Sequence, residues 1–160
     1  MNDFILARAL HVVAVVMWIG GVAMVTTVLL PAIRRLYRPA DRFPAFHALE
    51  ARFARQARCT TAIAGLSGFY MTWKLDAWNR FEFASFWWMH AMVFTWMIFT
   101  VMLFIAEPLF LERLLERRAT ASPEATFRLV EWLHRFLLTL SLLTVAGAVA
   151  GSIGGNLFVW

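Results

Sequence analysis

The sequence predicts an all-α fold: an integral membrane, up-down four-helix bundle with both termini outside. Three observations predict it. Of the 160 residues, 61% are hydrophobic and only 16% are charged, a balance that suits one membrane domain better than a soluble one. Four apolar runs, at about 4–31, 59–75, 84–106 and 132–158, match the roughly 20 residues an α-helix needs to cross a bilayer. The connections between them are short, so consecutive helices should be antiparallel neighbours within a single domain.

The first run follows Asp3. It is too long for a signal-peptide core, and no small-residue cleavage site follows a short one, so it reads as a retained span. It should end near Pro31 and give way to the basic, turn-rich segment IRRLYRPADR. Pro44 suits the first turn of a second helix, in which FHALEARFARQAR forms an amphipathic extension outside the membrane and leads into run 59–75. LDAWNRFEF is a short outer loop. Trp73, Trp78, Trp87 and Trp88 flank it as an interfacial aromatic belt, and Trp160 closes the fourth run at the same level. The third run ends at Glu107-Pro108, followed by the charged helical residues LERLLERR and the loop ATASPEA.

Charge sets the orientation. Arg34, Arg35, Arg38, Arg42, Arg52, Arg55 and Arg58 lie between the first two runs, and Arg113, Arg117, Arg118, Arg128 and Arg135 around the last link. Only Arg8, Lys74 and Arg80 lie on the other side. The positive-inside rule then places the longer loops in the cytoplasm of a bacterium and the chain in its inner membrane, as a multi-pass protein. The net charge of +5 reflects this topology and anionic headgroups, with no call for nucleic acid. Cys59 is alone, which excludes an internal disulfide and a thiolate metal cluster. No acid/base dyad, nucleophile elbow or phosphate loop is present, and Glu107 is the one candidate proton carrier.

His11 and His90 are the candidate site. Each lies eight positions after an acidic residue that opens its run, Asp3 and Glu82. At 1.5 Å per residue both imidazoles would lie about 12 Å inside their helices, at one depth. Ionisable groups at such depth are costly and usually functional. In an up-down bundle the first and third helices are diagonal, so the pair can ligate a haem iron from opposite faces. The other two helices then need small residues at that level. The second offers Gly65 and Gly68, and the fourth Gly147, Gly151, Gly154 and Gly155. Gly65 and Gly151 each lie about 13 Å from the outer boundary. The alternative reading of the fourth-helix glycines is a small-xxx-small packing ridge.

His47 and His134 form a second pair towards the cytoplasm and could hold a second haem, or be ordinary surface histidines. Arg8 and Arg58 can pair with haem propionates or simply snorkel to headgroups. Trp18 lies seven residues after His11 on the same face and can pack on a porphyrin or in an ordinary core. Met17, Met24, Met89, Met92, Met97 and Met102, with the histidines, are a soft donor set that could carry Cu(I), although no Met-x-x-Met run marks a path.

The stretch ALHVVAVVMWIGG resembles the first transmembrane helix of a bacterial superfamily that includes the HemJ-type protoporphyrinogen oxidases and the CopD-type copper-resistance membrane proteins. HALEARFARQARCTTAIAGLSGFYMTW is similar to the HemJ-type second helix, and WWMHAMVF resembles that family's Trp-x-His-x-Lys motif. The resemblance covers about three of the four helices. It implies a bundle that binds haem b, with His11 and His90 as the helix-1 and helix-3 histidines. Met92 stands where the family has lysine, which argues against porphyrinogen oxidation but leaves haem binding untouched. The spread of histidines over four helices also looks like small dihaem quinol-linked cytochromes.

The expected function is therefore that of a membrane b-type cytochrome, with one haem b and room for a second. It would exchange electrons with the quinone pool and with a redox partner protein, in contact with membrane lipid. Protoporphyrinogen oxidation and copper transport are the alternatives.

Overall fold

The computed structural model describes residues 3–154. These form four long helices and, among the described residues, no strand. We label them α1 (Asp3–Leu36), α2 (Pro39–Lys74), α3 (Ala84–Ala121) and α4 (Pro123–Ser152). Three of them, α1, α3 and α4, are long and apolar enough to cross a membrane. The second is not, because its apolar run carries Thr60, Thr61, Ser67, Tyr70, Thr72 and Lys74. Much of that polarity is absorbed locally. Thr60, Ser67 and Thr72 donate to the carbonyls of Gln56, Ile63 and Gly68, four residues earlier.

Prolines do not end the helices where the sequence reading places those ends. In α1 the turn before Pro31 widens into a π segment, Val25–Leu29, and helix resumes to Leu36. In α3 a longer π segment, Met102–Leu111, carries the chain past Pro108 and on to Ala121. A π turn accommodates the residue that an α-turn cannot when a proline lacks its N–H. α2 likewise begins at Pro39, with Asp41 in its first turn favouring the positive end of the helix dipole. Pro44 is thus inside the helix. α2 closes through Asp76, whose φ of 49° turns the chain so that the Ala77 amide reaches back to the Thr72 carbonyl.

Two buried clusters join the helices. One centres on Trp18, Val22, Phe99, Leu103 and Leu137, where Trp18 of α1 meets Phe99 of α3 edge-to-face at 4.8 Å. The other, on Leu30, Ile33, Phe43, Phe46 and Phe127, sits at the arginine-rich end. α1 packs chiefly on α2 and α3 on α4, while α4 also touches α1 and α2. Large apolar side chains such as Val16, Leu66 and Leu143 are exposed, an exterior of the kind lipid would cover.

A salt-bridge network ties the arginine-rich end. Arg34 lies 3.1 Å from Glu124 and 3.2 Å from the buried Glu131, and Arg42 also pairs with Glu124. At the opposite end Asp3 accepts hydrogen bonds from Tyr70 and Lys74 at 2.7 and 3.1 Å.

Candidate functional site

His11 is half-buried against α2. Its Nδ1 lies 2.9 Å from the Ala64 carbonyl and 3.1 Å from Ser67 Oγ. A carbonyl can only accept, so Nδ1 carries the proton and Nε2 is the free nitrogen. Gly68 makes the room, since a Cβ there would stand 3.2 Å from the ring's Cε1.

His90 is placed differently. Residues 78–82 and 84–86 are 3₁₀ turns, and the α-helical part of α3 starts only at Trp87. His90 therefore lies in the first α-turn, about 5 Å from its start, and the equal depth inferred by counting from Glu82 does not hold. Its side chain is exposed. Nε2 donates to the Phe81 carbonyl at 3.0 Å, and the ring meets Phe81 edge-on. One imidazole is held by α2 and the other by the loop between α2 and α3, so the structure does not bring this pair together.

The glycines beside them are filled by tryptophans. A Cβ on Gly65 would lie 2.5 Å from the Trp96 indole, and those on Gly147 and Gly151 would run into Trp87 and Trp88. All three indoles come from α3. Trp96 is fixed there by donating Nε1–H to the Thr61 carbonyl at 2.9 Å. Gly154 sits past the regular end of α4 with φ of 88°. Gly155 and Trp160 lie outside the described residues.

With the indoles in the glycine seats and Trp18 edge-on to Phe99, these residues do not fit a porphyrin held between His11 and His90. Arg8 is exposed and has no ion pair among the described residues. Of the methionine and histidine donors, Met102 and His134 line one cavity at the arginine-rich end. Met17, Met24 and Met97 are exposed, whereas Met89 is buried among other side chains.

Arg58 has a structural task. In the π register the N–H of residue 108 would bond the Leu103 carbonyl, but that residue is proline. Arg58 Nε donates to this carbonyl at 3.0 Å, and Nη2 pairs with Glu107 at 3.0 Å. The bridge holds α2 to α3 at the arginine-rich end of the helices.

Convergence occurs at that end. A cavity of about 90 Å³ is walled by Trp18, Phe53 and Phe99, with Glu50, Glu107 and His134 among its lining. His134 Nδ1 donates to the Val130 carbonyl at 2.9 Å, which leaves Nε2 3.8 Å from Glu50. Phe46 meets the ring edge-on. Trp18 is 4% exposed, and its Nε1–H has no hydrogen-bond partner among the described residues. Sequence reasoning found His134, Trp18 and Glu107 but missed Glu50. The signal was its place one helical turn after His47, on the same face.

His47 does not join His134. Its Nε2 lies 2.9 Å from Glu112, and its ring stacks on Phe43 at 6.3 Å. Cys59 is exposed and free.

No family model, no curated protein and no solved structure matches this chain.

Proposed function

We propose that the chain is a multi-pass protein of the bacterial inner membrane, an up-down bundle with both termini outside. Its cavity at the arginine-rich, cytoplasmic end would receive the head group of a lipid-soluble carrier of the quinone class. The observation that carries this reading is a cavity whose polar lining is Glu50, Glu107 and His134, with Trp18, whose buried Nε1–H has no hydrogen-bond partner among the described residues, in its wall. A buried donor without a partner costs roughly 1–3 kcal/mol, which an acceptor reached by a small turn of the indole would recover. A quinone is a flat apolar ring with a carbonyl at each end. The aromatic walls suit the ring, and side-chain movement must widen the roughly 90 Å³ cavity to admit it; Trp18 can then donate to one carbonyl, and His134 Nε2 or a protonated glutamic acid can serve the other. His134 then has a defined part: with Nδ1–H spent on Val130, its Nε2 accepts from a quinol hydroxyl when neutral and donates to a quinone when charged.

Equilibrium binding of a labelled short-chain quinone analogue to the detergent-solubilised chain tests this. One saturable site per chain is expected, and Trp18→Phe and His134→Ala should each weaken it by about tenfold, or 1.4 kcal/mol. Non-saturable partitioning, or affinity unchanged in both variants, would refute it.

One observation favours a second reading, haem b with an electron-transfer role. His11 gives Nδ1–H to a backbone carbonyl and keeps Nε2 free, as metal-ligating histidines habitually do. That reading requires His90 to turn inward and the indoles of Trp96 and Trp88 to leave Gly65 and Gly151. An oxidised and then dithionite-reduced absorption spectrum decides it. A Soret band lost in both His11→Ala and His90→Ala supports it, and a colourless preparation from haem-replete cells ends it.

A further inference from the structure

We infer that His47, Glu112 and Glu116 form a binding site for a divalent transition-metal cation between α2 and α3, beyond the cavity and independent of what the cavity binds. One donor nitrogen and two carboxylate oxygens, from two different helices, lie within 4.8 Å of one another. Bonds of about 2.0–2.2 Å to one tetrahedral ion put its donors about 3.3–3.6 Å apart, so closing the site needs side-chain movements of about an ångström. The side chains can make them, because His47 and Glu112 are 41% and 46% exposed. The His47 ring is already oriented, flat on Phe43 with Nε2 towards Glu112.

The surroundings leave this negative charge for a cation. Glu112 and Glu116 are one helical turn apart, where like charges destabilise a helix. Arg113, Arg117 and Arg118 share the segment, yet among the described residues no arginine or lysine pairs with either carboxylate. His47 is the partner the structure supplies.

Donor chemistry selects the class of ion. One imidazole and two carboxylates suit Zn²⁺, Mn²⁺ or Fe²⁺. They are too hard for Cu(I), and the nitrogen is foreign to Ca²⁺ sites. Three protein ligands leave positions for water, as at open zinc sites. An ion there would cross-link α2 to the arginine-rich extension of α3, on the face where Arg58 and Glu107 already bridge the same two helices.

The test uses the untagged, full-length chain in detergent, stripped with chelator and titrated with Co²⁺, with Zn²⁺ as competitor. We expect one Co²⁺ per chain with visible ligand-field bands, displaced by Zn²⁺. His47→Ala and Glu116→Gln should each weaken binding by an order of magnitude or more. Zn²⁺ should raise the thermal midpoint of the parent and leave that of Glu116→Gln unmoved. Glu116 is exposed, so its amide variant tests the ligand without disturbing the core. Failure of Co²⁺ to saturate, or parent-strength bands in both variants, would reduce the cluster to a histidine–glutamate ion pair and overturn the proposal.

Discussion

Replacing Gly65 by alanine asks directly whether an indole fills the glycine seat. Two opposing effects set the outcome. Alanine is favoured over glycine in a helix interior by roughly 0.5–1 kcal/mol. Against that, the new methyl would stand 2.5 Å from Cε2 and Nε1 of Trp96, well inside contact distance. The indole cannot simply swing away, because its Nε1–H is bonded to the Thr61 carbonyl at 2.9 Å. Overpacking of this kind costs about 1–3 kcal/mol. Gly65→Ala alone should therefore be neutral to destabilising by about 2.5 kcal/mol, the difference of those ranges. With Trp96→Leu in the background the clash disappears, and the same change should stabilise by up to about 1 kcal/mol. The double-mutant cycle should thus show a coupling of roughly 1–3 kcal/mol. Unfolding of the four variants in mixed micelles by added SDS, followed by circular dichroism, measures it. Additive effects, with coupling below about 0.5 kcal/mol, would refute the indole seat and leave that space open for a bound group.

Two further outcomes concern buried polar pairs. Thr95 and Thr144 share a hydrogen bond of 2.9 Å between their hydroxyls, joining α3 to α4. Thr95→Val alone should destabilise by about 0.5–1.5 kcal/mol. The double Val variant should recover part of that loss in the same unfolding assay, because no orphaned hydroxyl remains. Arg34→Met removes the guanidinium 3.2 Å from Glu131, whose side chain is 8% exposed. With Arg34 itself 40% exposed, the loss is discounted to about 1–3 kcal/mol, and adding Glu131→Met should restore most of it if the uncompensated carboxylate is the cause.

Much of the architecture is legible from residue order, and its failures have identifiable causes. The apolar runs locate all four helices, and the arginines crowd where the salt-bridge network forms. Helix ends near proline are misread because a π turn can carry a helix past the missing N–H, and nothing local announces one. Pro31 and Pro108 both lie in helices that continue. The site is less legible. Depth counting works for His11, which stands well inside a regular helix. It fails for His90, because the residues from Glu82 to Phe86 are not α-helical and contribute a different rise. Gly65 and Gly151 are read as openings for a haem edge, whereas α3 supplies bulky indoles that occupy them.

From the residues alone come the helix content, the apolar exterior, the polarity of α2 and the identity of every donor available for chemistry. All of these depend on composition and on spacing along one axis. Packing in three dimensions decided which partner each donor meets: His11 with Ala64, His90 with Phe81, His47 with Glu112 and His134 with the cavity. Linear spacing fixes how far a side chain rises along its own helix, but not the neighbour it finds there. That neighbour depends on helix rotation, on local departures from α geometry and on which side chain fills a vacant volume first.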